Sequence, residues 1–282
     1  MFLEERLNSS ESAMRHPGQA LRRWYRELQM AWPLGIVLAK RNIQAKYRQT
    51  LLGYVWALLP TVATALTFVL LSNARLLNSG VTEISYPVYA FYGALMWQLF
   101  SISVVSPIEL VQSSKTILAK VQFPRDSLLI AASLLVLFDL AIKLCMLPVV
   151  MAVFGVWPGS GILYFPLIAL ATILLGMAVG ILLVPFNLIF NDVRMAVVLF
   201  ISFLVLVTPV GFVAPEEGSL AALIRYNPLS VLVDAGRASL AGLTLPEFGA
   251  WGLVGAIATV ATLLAVALYH VALPIVVERQ SS

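Results

Sequence analysis

Residues 40–56 read KRNIQAKYRQTLLGYVW, a basic segment that passes directly into an apolar run. The segment carries four cationic side chains: Lys40, Arg41, Lys46 and Arg48. Lysine and arginine beside a hydrophobic segment mark the cytoplasmic border of a membrane helix, because these residues are retained on the inner side during insertion. The pattern therefore predicts a cytosolic N-terminal region over residues 1–53 and a transmembrane domain over residues 54–282.

The composition places the chain among integral membrane proteins. Hydrophobic residues make up 60% of it and charged residues only 11%, whereas a soluble domain carries about 25% charged residues. The net charge of +4 does not indicate nucleic-acid binding, because the basic residues cluster beside apolar segments. Cys145 is the only cysteine, which excludes an internal disulfide framework and a thiolate metal site. We expect no bound metal.

The N-terminal region contains a segment with helical periodicity. Five apolar and aromatic residues recur at helical spacing between arginines: Leu21, Trp24, Tyr25, Leu28 and Trp32. This pattern predicts an amphipathic helix that lies at the membrane interface. Pro33 is expected to kink or end it. A cytosolic helix that packs on a partner protein is the alternative.

Hydropathy predicts an all-α fold with six transmembrane helices, since a hydrocarbon core of about 30 Å needs roughly 20 apolar residues per helix. The six spans cover approximately residues 54–72, 87–105, 127–154, 162–190, 195–213 and 250–277. With the N-terminus inside, 14 lysines and arginines fall on the cytosolic side and three outside. This bias places both termini in the cytosol.

The connection between the second and third spans, residues 109–126, is too polar to remain in lipid. It presents a small apolar face and two lysines, which could dock into the groove of another protein. The candidate docking residues are Lys115, Ile117, Leu118, Lys120 and Phe123. A simple solvated connector is the alternative.

The segment between the fifth and sixth spans contains two apolar pieces too short to cross, residues 220–224 and 229–240. They are interpreted as two short re-entrant half-helices, a backbone arrangement that is tolerated only inside protein or beside a wet cavity. Asn227 and Pro228 fit a helix N-cap and first turn. Asp234 and Arg237 are spaced for an ion pair. The alternative is a helix that lies on the external surface.

Few ionisable residues fall inside the spans. Asp139 and Lys143 are four residues apart, so they can pair within one helix, for a functional or a purely structural reason. The second span carries aromatic residues that could line a carbohydrate path or form an interfacial belt. The candidates for the path are Tyr89, Tyr92, Trp97 and Phe100. The two histidines, His16 and His270, have no obvious partner in the sequence.

Several motifs for enzymatic chemistry do not occur in the sequence. It contains no G-x-x-x-x-G-K-[ST] loop for nucleoside triphosphates, no H-E-x-x-H and no G-x-S-x-G. We therefore expect neither catalytic residues nor a cofactor bound by this chain.

Four motifs occur in a characteristic order: YRQTLLGYVWALLP (47–60), AKVQFPR (119–125), NDVR (191–194) and YNPL (226–229). Together they resemble the membrane subunit of type-2 ABC exporters, and most closely the subgroup that exports O-antigen, capsule or teichoic-acid polysaccharides. The resemblance implies a homodimer in the bacterial inner membrane that works with two copies of a separate cytosolic ATPase, on which ATP and Mg²⁺ bind. It also implies that residues 109–126 form the helix that couples to the ATPase.

The resemblance therefore implies a polysaccharide-exporting permease whose polymer is often linked to a polyprenyl diphosphate lipid. Lys40, Arg41, Lys46 and Arg48 could steer the diphosphate at the entrance, or they could only set the topology. An exporter of a drug, lipid or other small molecule is the first alternative. A membrane-embedded glycosyl or acyl transferase is the second.

Overall fold

The computed structural model describes residues 17–48, 50–76, 84–115, 124–190, 192–215, 217–246 and 248–281. All regular secondary structure in these ranges is helical. The nine α-helices described are α1 (Pro17–Tyr47), α2 (Leu59–Asn73), α3 (Tyr86–Ser113), α4 (Asp126–Phe154), α5 (Phe165–Ile189), α6 (Val193–Leu204), α7 (Ser219–Tyr226), α8 (Pro228–Ala241) and α9 (Phe248–Ser281). A short 3₁₀ turn precedes α2 at Gly53–Ala57, and another precedes α5 at Ser160–Tyr164. A third, Val205–Val207, extends α6.

Four of the described helices are long and apolar enough to cross a membrane: α3, α4, α5 with its preceding turn, and the first 26 residues of α9. These helices match the second, third, fourth and sixth predicted spans, and an all-α membrane protein is confirmed for the described residues. The first and fifth predicted spans correspond to shorter apolar helices, Leu59–Asn73 and Val193–Val207. A helix of 15 residues is about 22 Å long, less than the hydrocarbon thickness. Six spans therefore stay a prediction.

Helix α1 continues through Pro33 to Tyr47. The proline therefore does not end the helix, which was one of the two expected outcomes. Small residues at four-residue spacing face α4, namely the buried Ala31, Gly35 and Ala39. A β-carbon on Gly35 would lie only 2.6 Å from Cγ2 of Ile130. This close helix–helix approach stabilises α1 on both sides of the proline, where one backbone hydrogen bond is missing.

Helix α3 forms the core of the bundle. In its most apolar stretch 72% of the residues are buried, against 17% in α9, which therefore lies at the periphery. Gly176 and Gly180 of α5 pack on α3, where a β-carbon on Gly176 would lie 2.6 Å from the β-carbon of Ser103. Two glycines four residues apart permit such backbone contact between apolar helices.

Because Gly176 contacts Ser103 and Asn187 contacts Gln112, α3 and α5 run in the same direction. Their C-terminal ends define one end of the bundle, which we call the Glu109 end. Their N-terminal ends define the opposite one, the Arg237 end. Helix α8 begins near the midpoints of α3 and α5, where Leu229 shares a cavity wall with Phe100 and Leu175. It ends at the Arg237 end, where Gly242 packs on Gly159.

Candidate functional site

The four predicted entrance cations lie in the last turns of α1 and directly after it, and all four are exposed: Lys40, Arg41, Lys46 and Arg48. Lys46 lines a cavity of about 480 Å³ between α1, α3 and α4. Asn42 and Tyr47 line the same cavity and add groups that can donate hydrogen bonds. The cavity therefore offers a ligand one cation and two neutral donors beside two carboxylates, those of Glu109 and Asp139, and Nδ2 of Asn42 also donates to the carbonyl of Leu38 at 2.8 Å.

Tyr47 closes the wall of this cavity towards α4. Its ring packs against Tyr54, with centroids 4.9 Å apart, and against Phe138 at 6.3 Å. Burial raises the pKa of Tyr47, and the nearby Asp139 and Tyr54 add to the shift. The phenol therefore stays protonated at physiological pH and keeps its hydrogen for donation.

Asp139 and Lys143 lie in contact inside α4, where they are 5% and 2% exposed. The carboxylate of Asp139 lines the same cavity as Lys46. Removal of either charge would leave the other buried without its partner, which is costly in a low-dielectric environment. The pair therefore adds no net charge to this wall of the cavity.

A second polar cluster joins three helices at the Glu109 end. Arg194 donates from Nε to Oε1 of Glu109 at 3.0 Å, and its Nη2 reaches the same oxygen. Its backbone N–H donates to Oδ1 of Asn187 at 3.0 Å, and Nδ2 of Asn187 donates to Gln112 at 3.2 Å. The cluster thus fixes the start of α6 to the ends of α3 and α5.

Of the predicted docking residues, only Lys115 is described. Its Nζ donates to the carbonyl of Leu188 at 3.4 Å. Ile117, Leu118, Lys120 and Phe123 lie outside the described residues. Glu109, which belongs to the cluster with Arg194, is thus the first residue of the predicted docking segment, residues 109–126.

The predicted path aromatics all lie on α3. Tyr92 is 0% exposed, and its hydroxyl has no hydrogen-bond partner among the described residues. Trp97 and Phe100 are also buried, at 5% and 6% exposed, while Tyr89 is partly buried and donates to the carbonyl of Phe212 at 3.3 Å. In a single subunit these rings serve mainly as core packing, and their role in a path stays a prediction.

Arg237 is the centre of the polar contacts at the Arg237 end, and its side chain is only 4% exposed. It donates from Nη1 to Oδ1 of Asp234 at 2.8 Å, which confirms the predicted pair. Nη2 donates to the carbonyls of Pro209 and, at 3.0 Å, Val210. The guanidinium also lies 3.7 Å from the ring centroid of Tyr89, a cation–π arrangement.

These contacts hold the chain after α6 against α3. Gly93 leaves room for the carbonyl of Val210, since a β-carbon there would overlap that carbonyl. The hydroxyl of Tyr86 donates to the carbonyl of Gly211. The segment 209–212 is thus fixed by side chains from α3 and α8 rather than by regular secondary structure.

Asn227 caps α8 as the sequence predicted. Its Oδ1 accepts the N–H of Leu229 at 3.0 Å. Its Nδ2 donates to the hydroxyl of Thr208 at 3.0 Å and to the carbonyl of Val207 at 3.3 Å. One side chain therefore starts α8 and joins it to the end of α6.

His270 has a neighbour that the sequence did not indicate. Its Nε2 lies 2.9 Å from Oδ1 of Asp126, although the ring nitrogen is not in hydrogen-bond geometry. The contact joins α9 to the start of α4.

Sequence reasoning missed the contact between Glu109 and Arg194 and the bonds from Arg237 to backbone carbonyls. Glu109 and Arg194 are 85 positions apart, so no local spacing could indicate them. For the bonds from Arg237 to backbone carbonyls, Gly93 was the only local signal, because glycine in an apolar helix often marks a close backbone approach.

Comparison with known proteins gives a consistent result. The chain is 26% identical over 228 residues to the O-antigen export system permease protein RfbA of Myxococcus xanthus, covering 80% of this chain and 86% of that protein. It is 27% identical over 209 residues to the protein of the same name from Klebsiella pneumoniae, covering 72% and 78%. Residues 34–241 match the family of ABC-2 type transporters, a span that includes α2 to α8. The chain is therefore a membrane subunit of a transporter and belongs to the ABC-2 type transporter family.

Proposed function

We propose that this chain is the channel-forming subunit of an ATP-driven exporter that moves a polysaccharide from the cytosol across the inner membrane. The similarity to two O-antigen export permeases over 80% and 72% of the chain carries this proposal. The polymer is proposed to be O-antigen-like and linked to a polyprenyl diphosphate. ATP hydrolysis is assigned to a separate chain, because the sequence has no phosphate-binding loop of its own.

The proposed topology has six spans with both termini in the cytosol. The bias of lysine and arginine supports it. For the two short helices, the turn Gly53–Ala57 and the segment after Val207 would provide the remaining length. In this topology the Glu109 end faces the cytosol and the Arg237 end faces outward.

The entrance is proposed to be the cavity beside Lys46. A diphosphate is a dianionic or more highly charged group, and lysine is a compact cation that binds phosphate as a point charge. Asn42 and Tyr47 supply the neutral donors there. Lys40, Arg41 and Arg48 are exposed on the same end of α1 and would attract the lipid headgroup from the membrane surface.

The ATPase is proposed to dock on residues 109–126, with two subunits of this chain and two ATPase copies in the assembly. The cluster of Glu109, Asn187 and Arg194 supports this role, because it joins the start of the docking segment to α5 and α6. Movement imposed on the docking segment would therefore reach both helices.

The proposal is tested in a strain from which the gene is deleted. Reintroduction of the wild-type chain is expected to restore surface polysaccharide, and without it lipid-linked polymer should accumulate inside. Restored growth in a toxic small molecule with no change in surface polymer would contradict the proposal and favour a drug or lipid exporter.

The entrance role has its own test. A variant with Lys40, Arg41, Lys46 and Arg48 all changed to glutamine is expected to insert normally and to export markedly less polymer. Arg26→Gln is the matched control, since this exposed arginine lies on the same helix outside the cavity. Full export by the correctly inserted quadruple variant would remove the entrance role.

A further inference from the structure

A polar cavity of about 520 Å³ lies between α7, α8 and the chain before α7. Four polar side chains line it, those of Arg225, Tyr226, Ser230 and Asp234. It is separate from the entrance cavity, and none of the predicted path aromatics contributes to it.

The depth of this cavity determines what can fill it. Asn227 and Leu229, which follow Tyr226, share a cavity wall with Phe100 and Leu175 near the midpoints of α3 and α5. Arg225 therefore lies close to mid-depth, where it is exposed and has no ion-pair partner among the described residues. An exposed cation at that depth is tolerated only beside water, because hydrocarbon cannot solvate it. The cavity must then be open to water rather than to lipid.

The side chains in the cavity have the chemistry of a sugar site. The ring of Tyr226 is 85% exposed and offers a flat apolar face with a hydroxyl at its edge. Asp234 gives only Oδ1 to Arg237, so its other oxygen can accept a hydrogen bond from a sugar hydroxyl. Its side chain is 48% exposed.

Ser230 is an independent indication of a ligand. It is 4% exposed, lines the cavity, and its hydroxyl has no hydrogen-bond partner in the described part of the chain. A buried hydroxyl without a partner is unfavourable, and a hydrogen bond from a ligand hydroxyl would remove that cost. The first turn of α8 thus presents an unused hydrogen-bonding group beside an exposed tyrosine.

We infer that this cavity is a sugar-binding subsite, in which Tyr226 stacks on a pyranose ring while Ser230 and Asp234 bond its hydroxyls. The inference rests on the proposed export of a polysaccharide and adds to it a second contact point, on the outward half of the path. The polymer would meet water and hydrogen-bonding groups there from the middle of the bundle outward.

The first experiment tests access to water. In a Cys145→Ser background, which removes the exposed native thiol, Tyr226→Cys is treated with a membrane-impermeant maleimide added from outside. Val260→Cys is the matched control, since it is 57% exposed on the peripheral α9. We expect labelling at position 226 and none at 260. Failure to label position 226 would overturn the inference.

The second experiment tests occupancy by polymer. Labelling of Ala222→Cys, at an exposed position that lines the same cavity and leaves Tyr226 in place, is compared in cells that make the polymer and in cells blocked at its first sugar transfer. Polymer is expected to slow labelling about threefold or more, as a stacked ligand would shield the position. Equal rates would show that water or lipid headgroups fill the cavity, and the inference would be wrong.

Export separates this inference from the proposed function. Tyr226→Ala is expected to lower surface polymer about fivefold, Tyr226→Trp to retain it, and Tyr164→Ala, a half-exposed tyrosine outside the cavity, to have no effect. If the wild-type chain itself restores no polymer, the proposed function fails. If it restores polymer and Tyr226→Ala does so equally well, only the sugar subsite fails.

Discussion

Each end of the bundle contains a pair of an arginine and a carboxylate, but the two arginines differ in burial. At the Glu109 end, Arg194 and Glu109 are 50% and 48% exposed. At the Arg237 end, the side chain of Arg237 is 4% exposed, although that of Asp234 is 48% exposed, and the arginine contacts a carboxylate, two carbonyls and an aromatic ring. An exposed ion pair contributes little to stability, whereas removal of a buried arginine leaves buried carbonyls without their donor.

This difference indicates where the molecule can move. The cluster at the Glu109 end can open and close at low cost, which suits the end proposed to receive the ATPase. The Arg237 end is fixed to α3 by many contacts at once, so segment 209–212 should keep its position. Each of the following predictions tests this comparison, in order of decreasing effect.

The largest effect is expected for Arg237→Ala. It removes the partner of Asp234 and leaves the carbonyls of Pro209 and Val210 without their donor. Each buried carbonyl left without its donor costs about 1–3 kcal/mol, so the loss should be about 2–6 kcal/mol of unfolding free energy, measured as chemical or thermal unfolding in detergent. Arg225→Ala is the control, because that exposed arginine has no such contacts. Equal stability of the two variants would contradict the inference that Arg237 fixes segment 209–212.

A smaller effect is expected for Gly180→Ala. The added β-carbon would lie 2.7 Å from Cγ of Pro107 and would meet the carbonyl of Val104, so α3 and α5 must separate. Overpacking of this kind costs about 1–3 kcal/mol, which the same unfolding measurement would detect. Gly249→Ala, where no atom lies within 4 Å, should be neutral or slightly stabilising. A neutral Gly180→Ala would show that the contact is loose.

Replacement of the α8 cap should cost less again. Asn227→Ala loses the bond to the N–H of Leu229 and the two bonds to the end of α6. A cap of this type contributes about 1 kcal/mol. Asn227→Asp keeps the acceptor for the helix and should recover part of that loss. If the two variants unfold identically, the cap does not act through its oxygen.

The smallest effect is expected for the pair at the Glu109 end. A double-mutant cycle with Glu109→Gln and Arg194→Gln should give a coupling energy below about 1 kcal/mol, and salt should reduce it further. The same cycle on Asp234 and Arg237 should give a larger value that salt reduces less, because Arg237 is buried. Similar coupling energies at both ends would contradict the comparison.

Local features of the sequence predicted much of this architecture. Hydropathy located the four long helices, and the Asn-Pro dipeptide located the cap of α8, because both signals depend on adjacent residues. The pair of Asp234 and Arg237 followed from helical spacing. Contacts between residues of a single helix could therefore be predicted from the sequence alone.

Contacts between distant segments could not be predicted in the same way. The burial of Tyr92 and Trp97 depends on the helices that surround α3, and the four-residue spacing of Ala31, Gly35 and Ala39 gains meaning only once α4 is in place. Lengths also depended on context, since α6 passes into a 3₁₀ turn at Val205–Val207 where hydropathy predicted a continuous span. Packing, rather than composition, decides these features.

We propose that this chain forms the membrane path while another polypeptide hydrolyses ATP. The most direct measurement reconstitutes the purified chain in vesicles, with and without the ATPase that copurifies with it, and follows ATP hydrolysis and transfer of lipid-linked polysaccharide. We expect hydrolysis and transfer only when both proteins are present, in equal amounts. Hydrolysis by this chain alone, or transfer that does not depend on an ATPase, would contradict it.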